Sequence, residues 1–193
     1  MPSMSTPLGY VFWHRPLHGV SRAGYEASLL RFQSSLRENP PAGFLDALAF
    51  RVDTLPWSRS HSSAYEDWYL VRDFKALGDL NAGAVGPANK SPHDEAARKA
   101  SAIAGGLYKL IDGKLPACET RVATWMSKPA SKSYEDFLAD LRSLESLTQR
   151  IWQRQMVLGP APEFCVHSRR ASGAPHGARG RVVKVTALGE SLD

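Results

Sequence analysis

Three stretches of the chain carry side chains able to move protons or hold a metal. In FWHRP, His14 stands on a strand-like segment with Phe12 on its own side and Trp13 opposite. A neutral imidazole titrates near physiological pH, so His14 serves as a general base, or as a haem or metal ligand, if its face looks into a pocket. A hydrogen-bonded histidine at a strand end accounts for the same residue. In SPHDEAARK, His93 and Asp94 open a helical stretch, where the positive end of the helix dipole favours a neutral imidazole; a plain helix start explains the pair equally. In PEFCVHS, Glu163, Cys165 and His167 alternate with Phe164 and Val166 and share one strand face.

The spacing of Cys165 and His167 would suit zinc, but no second Cys/His pair exists to close the shell. As a nucleophile and base they lie about 6–7 Å apart by the strand rise, too far for a direct hydrogen bond. An amphipathic strand is the simpler reading, and Glu163 is the member retained as a catalytic candidate, because PAPE holds a carboxylate at a rigid corner. Just before it, in WQRQM, Gln153 and Gln155 share one face and Trp152, Arg154 and Met156 the other. Two inward glutamines would hydrogen-bond a polar ligand, and Arg154 would hold a carboxylate or phosphate; an exposed polar edge gives the same pattern. In YEDWYLV, period two separates Tyr65, Asp67 and Tyr69 from Glu66, Trp68 and Leu70 without saying which set is inward. Trp13, Arg51, Trp68 and Tyr69 complete the expected substrate-binding set.

Elements must bring these residues together. GYVFWHRP reads as a strand ended by Pro16, and the helix after it places Tyr25, Leu29, Phe32 and Leu36 on one stripe. FLDALAFRVDTL and SSAYEDWYLVRDF follow as two strands paired in a hairpin across PWSRSHSS. The first has a bulky face, Phe44, Leu48, Phe50 and Val52, and a small polar one with Ala47, Ala49 and Arg51. A helical pattern from Lys75 pauses at Gly86 and Pro87 and restarts with Ser91 as N-cap and Pro92 at the first helical position. GGLYKLIDG supplies a fourth strand.

A second copy follows. Tyr134-Glu135 with Leu138 and Leu141 repeats Tyr25-Glu26 with Leu29 and Phe32 at one fixed offset, and Trp125 to Pro129 repeats Trp13 to Pro16 with a one-residue gap. IWQRQMVLG and PEFCVHS add two strands, with no second long helix, so the unit is a trimmed duplicate. Residues 8–113 form the first unit, 119–167 the second, and 168–193 a basic, partly flexible tail whose VVKVTAL makes a late edge strand.

Composition bounds the function. At 193 residues, 43% hydrophobic and 22% charged, the chain has an ordinary globular balance. No run is long and apolar enough to cross a bilayer and the first residues lack signal-peptide order, which points to a cytoplasmic protein without membrane contact. Cys118 and Cys165 are expected as reduced thiols. More than half of the net charge of +5 lies beyond His167, in Arg169, Arg170, Arg179, Arg181 and Lys184 against Glu190 and Asp193. That arm lacks the aromatics that stack on bases, so a nucleic-acid partner is not expected. Absence of GxGxxG, GxxxxGK[ST], HExxH, GxSxG and CxxC weighs against nucleotide, zinc-protease and serine-hydrolase chemistry.

The order strand, helix, strand, strand, helix, strand is that of a ferredoxin-like unit. Two such units in one chain resemble the dimeric α/β barrel superfamily in its tandem-fused form, which includes small monooxygenases, EthD-like and NIPSNAP-like proteins and chlorite-dismutase-like haem proteins. The resemblance implies an α+β fold, two ferredoxin-like units with antiparallel sheets and helices on the outer face, and a pocket on the inner sheet face. It carries no particular reaction, since the fold hosts many. A small-molecule binding protein or a cofactor-independent enzyme of monooxygenase, isomerase or EthD type is the expected function, with no cofactor or metal and a homodimeric state. The other class is a non-catalytic assembly protein. A haem protein would need a histidine facing a flat apolar cavity, and His14 is the strand candidate.

Overall fold

Every residue of AYEDWYLV is buried, which a two-faced strand achieves only when both of its faces are covered. The computed structural model shows what covers them; it describes residues 6–58, 63–115, 119–144, 150–157, 160–171 and 173–189. The elements are β1 (Leu8–Pro16), α1 (Arg22–Glu38), β2 (Phe44–Val52), β3 (Ala64–Val71), α2 (Phe74–Ala84), α3 (Lys90–Lys99), β4 (Ala100–Asp112), β5 (Val122–Met126), α4 (Tyr134–Ser143), β6 (Arg150–Val157), β7 (Phe164–Ser168) and β8 (Arg181–Ala187). All strand pairs are antiparallel and close into a barrel in the order β1-β3-β2-β8-β5-β7-β6-β4. The fold is α+β, and it is built from two ferredoxin-like units: β4-β1-β3-β2 and β8-β5-β7-β6 have the same internal order and join edge to edge. No helix among the described residues is long and apolar enough to cross a membrane.

The strand VVKVTAL is not at an edge. It forms β8, pairs with β2 on one side and β5 on the other, and removes both open edges. It is also the fourth strand of the second unit, which therefore runs past His167 to Ala187, and no helix stands between β7 and β8 among the described residues. The hydrophobic half of VVKVTAL was legible as a strand, but its partners lie far away in sequence.

The two units superpose in sequence with a different alignment from the one the Tyr-Glu pairs suggest. Trp13 and Trp125, the caps Ser21 and Ser133, Tyr25 and Phe137, and Leu29 and Leu141 correspond at a single offset without a gap. Ser21 Oγ accepts from Gly24 N at 3.2 Å and Ser133 Oγ from Asp136 N at 3.0 Å, so the two helices start on equivalent residues. The paired Tyr-Glu dipeptides are thus out of frame: Tyr25 is buried within α1, whereas Tyr134 is the half-exposed first residue of α4. The expected cap Ser91 is also displaced. Helix α3 begins at Lys90 after Asn89, whose side chain instead donates to the carbonyls of Asn39 and Gly83 and accepts from Ser35.

The barrel interior is filled. Trp13, Trp68, Trp125 and Trp152, with Tyr108, are fully buried and pack as an edge-to-face and tilted cluster, the rings of Trp68 and Trp152 5.1 Å apart and those of Trp13 and Trp125 5.6 Å apart. Glycines make the room: a Cβ on Gly9 would sit 2.8 Å from Trp68, and one on Gly106 3.0 Å from Tyr108. The expected pocket on the inner sheet face is therefore corrected. Five large rings occupy that space, and the open volume lies on the opposite face, beneath the helices.

Candidate functional site

Period two sends Val11 and Trp13 of β1 into the barrel and Tyr10, Phe12 and His14 out beneath the helices. On β3 it sends Glu66, Trp68 and Leu70 in and Tyr65, Asp67 and Tyr69 out. A cavity of about 350 Å³ lies over that outer face. Its floor is Tyr10, Phe12, His14, Asp67 and Tyr69, and α1 closes one side with Tyr25, Leu29 and Phe32. From α2 come Leu80, Asn81 and Ala84, and the far wall is Ala96, Ala97, Ala100 and Ala102, from α3 and the start of β4. Methyl groups facing aromatic rings leave a slot; larger side chains there would fill it.

Three polar groups form a string on the floor. Tyr25 Oη lies 2.6 Å from His14 Nδ1, and His14 Nε2 lies 3.0 Å from Asp67 Oδ2. The second contact is at ion-pair distance without hydrogen-bond alignment. Tyr69 Oη donates to the same Asp67 oxygen at 3.4 Å. His14 is 6% and Asp67 3% exposed, so their interaction is little screened by water. Burial, then the charge of Asp67, raises the Tyr25 phenol well above its ordinary range, and the same two causes raise Tyr69. Both phenols hold their protons and act as donors. Tyr65 stacks parallel on His14, rings 5.9 Å apart, and is itself held by Glu26, which accepts from Tyr65 Oη at 2.9 Å and Arg51 Nη1 at 3.0 Å.

The sequence-derived residues divide. His14, His93 and Tyr69 line this one cavity; Trp13 borders it from β1 while its ring packs in the barrel interior. His93 contacts Asp94 through Nδ1 at 3.0 Å and packs edge-on against Phe32. Arg51 sits one layer behind, bracing Tyr65 through Glu26. The small face of β2 does not hold a ligand: Ala47 and Ala49 pair with Tyr69 and Asp67 on the outer face, and Ala47 packs in the core under α1. Trp68 is in the barrel interior. Glu163 is on the other unit, accepting from Tyr134 Oη at 2.5 Å and Lys128 N at 3.4 Å. Arg154 donates to the Ala161 carbonyl at 2.9 Å, and the exposed Gln155 amide turns back onto the carbonyls of Gln153 and Arg154. Gln153 is partly buried and, with Arg154 and Gln155, stands outside the cavity lining. Cys165 and His167 do share a face, and it is the closed barrel interior, where His167 packs against Trp68 at 4.7 Å. Cys118 and His61 lie outside the described residues.

Sequence reasoning passed over Tyr25 and Asp67. Tyr25 falls in the apolar stripe of its helix, and Asp67 belongs to one of two alternating sets that period two does not tell apart. The signal that could have found them is the pair of tyrosines flanking a carboxylate in YEDWY, set against a histidine-bearing strand.

The second unit gives the contrast. Trp13 opposes Glu66, His14 opposes Tyr65 and Phe12 opposes Asp67; in the equivalent strands Trp125 opposes Cys165, Met126 opposes Phe164 and Thr124 opposes Val166. His14, Tyr25, Tyr65 and Asp67 thus become Met126, Phe137, Phe164 and Val166, which pack as a dry core under α4.

A haem ligated by His14 fits poorly: Nδ1 is occupied by Tyr25 Oη at 2.6 Å, and Nε2 lies 3.0 Å from the Asp67 carboxylate, which iron on that nitrogen would have to displace.

No family model matches the chain, and no curated protein matches its sequence. Solved structures do share the fold. A candidate monooxygenase from Fusobacterium nucleatum superposes with a TM-score of 0.64 at 10% identity, covering 96% of this chain and 94% of that one. A candidate monooxygenase from Lactobacillus acidophilus gives 0.56 at 10% identity, with 94% of each chain covered. A chlorite dismutase variant from Candidatus Nitrospira defluvii gives 0.50 at 9% identity, covering 96% and 94%. The chain has the fold of the dimeric α/β barrel proteins, two units fused in tandem.

Proposed function

We propose that the chain is a cofactor-independent enzyme acting on a small, largely apolar molecule held beneath α1, α2 and α3, with Asp67 taking a proton from it and His14 Nε2–H steadying the anion that forms. The observation that carries this reading is the contrast between units: one keeps a buried imidazole, carboxylate and phenol at a cavity, and its duplicate packs apolar side chains at the same positions. Burying polar groups costs stability that an apolar core does not, so a unit that keeps them at a cavity points to a use for them. The candidate monooxygenases of the same fold support an oxygenase over an isomerase, at the level of fold alone.

Such a reaction would take one proton from an activated CH2 or hydroxyl, leaving an anion stabilised by an aromatic ring system. In the oxygenase version, that anion reduces dioxygen, and CH2 plus O2 becomes C=O plus H2O. The aromatic floor and alanine wall supply the apolar seat; the positioned carboxylate takes the proton and the imidazole N–H steadies the anion. No metal or flavin enters the scheme.

Oxygen uptake with a panel of hydroxylated polycyclic ketones, in buffer containing a metal chelator, tests it. Turnover by the wild-type chain and a loss of about 100-fold or more in His14→Ala, with the circular dichroism unchanged, is the expected result. Equal rates in the folded variant overturn the assignment.

A further inference from the structure

Two buried polar atoms at the floor of the cavity have no hydrogen-bond partner among the described residues: His14 Nε2 and Asp67 Oδ1. They are of opposite kind. The Asp67 carboxylate 3.0 Å from Nε2 favours the tautomer with the ring hydrogen on that nitrogen, which makes Nε2 a donor and leaves Nδ1 to accept from the Tyr25 phenol at 2.6 Å. Asp67 takes its protein contacts, His14 and Tyr69, on Oδ2, and its other oxygen remains an acceptor. A buried group left without a partner is costly, so both atoms favour a ligand that satisfies them.

We propose that this donor and acceptor together recognise a hydroxyl group on the ligand, the O–H donating to Asp67 Oδ1 while its oxygen accepts from His14 Nε2–H. The proposal rests on the reading of the cavity as a small-molecule site, and it narrows the ligand class. A hydroxyl is both donor and acceptor on one atom. An ether has no hydrogen to give Asp67, an ammonium has no lone pair for His14, and a carboxylate would set like charge against Asp67. The rest of the ligand is apolar and flat, seated between Phe12, Phe32 and Tyr69 on one side and Ala96, Ala97 and Ala100 on the other. Tyr25 is a positioning residue here: it does not meet the hydroxyl but holds His14 in the tautomer that can donate to it.

The test compares 2-naphthol with its methyl ether, 2-methoxynaphthalene, binding to the full-length chain by calorimetry. The naphthol is expected to bind about tenfold or more tightly than the ether. In Asp67→Leu the naphthol affinity should fall to that of the ether, with the ether's own affinity unchanged. Imidazole ¹⁵N spectra of the ligand-free protein should show a single Nε2–H tautomer for His14, becoming a mixture in Tyr25→Phe. Equal affinities for the two probes, or discrimination that survives in Asp67→Leu, overturn the hydroxyl assignment and leave the pocket standing. Binding of neither probe overturns the small-molecule reading, and this proposal with it. Should Asp67→Leu fail to fold, the wild-type comparison of the two probes decides the matter alone.

Discussion

Met126 occupies in β5 the place that His14 occupies in β1, one position beyond a tryptophan that points into the barrel from each strand. The same correspondence sets Phe137 against Tyr25 and Val166 against Asp67. The polar string is a feature of one unit imposed on a scaffold that packs well without it.

Copying the second unit into the first should therefore abolish the site and not the fold. The triple variant His14→Met, Tyr25→Phe, Asp67→Val is expected to be as stable as the parent or more so, by about 1–4 kcal/mol in urea denaturation, since buried ionic groups replaced together by apolar ones seldom cost stability. Asp67→Val alone should destabilise by about 1–3 kcal/mol, because it strands the imidazole and the Tyr69 hydroxyl. A triple variant less stable than the single one would contradict this account.

Stability should carry opposing pH signatures from two interior groups. Burial raises the Glu66 carboxyl from 4.5 to about 7, against the indole N–H groups of Trp68, Trp13 and Trp125. Between those values the unfolded chain has lost the proton that the native state retains, so stability falls as pH rises from about 4.5 to 7, by about 3 kcal/mol at most. Burial, then Arg150, lowers His167 from 6.5 to about 3, so the unfolded chain there holds the extra proton and stability rises from about pH 3 to 6.5. In the wild type the two slopes oppose each other between 4.5 and 6.5. Glu66→Gln should expose the rise and His167→Gln the fall, read as urea midpoints at successive pH values; parallel profiles in both variants would show that neither group titrates in the interior.

Gly9→Ala should cost about 1–3 kcal/mol by overpacking, because the new Cβ lies 2.8 Å from Trp68, which is wedged against Trp152. A shift in the tryptophan fluorescence should accompany the lowered midpoint. Gly78→Ala, with nothing within 4 Å of its Cβ, serves as the control and should be neutral or stabilising.

Glu26→Ala removes the acceptor shared by Tyr65 and Arg51. The expected effect is a loss of about 1–2 kcal/mol in stability and a weaker hold on the ring stacked over His14. Affinity for an apolar probe should change little, since Glu26 does not line the cavity.

Periodicity sufficed for the elements of the first unit, because a strand's alternation and a helix's stripe are local properties: Tyr25, Leu29, Phe32 and Leu36 are all buried on α1 as their spacing requires. The same reasoning placed a histidine on a strand, a second near a helix start, and two ferredoxin-like units in one chain. What the residues alone could not decide was which face of each strand looked inward. Period two in YEDWYLV is symmetric, and only the barrel's closure, with tryptophans contributed by four strands, filled one side and sent Asp67 to the other. Closure also took β8 from an apparent tail, since its partners β2 and β5 are distant in sequence. The meeting of Tyr25, His14 and Asp67 is of that kind: three residues from a helix and two strands, each ordinary in its own segment, acquire their chemistry from the register that sets His14 2.6 Å from Tyr25 and 3.0 Å from Asp67.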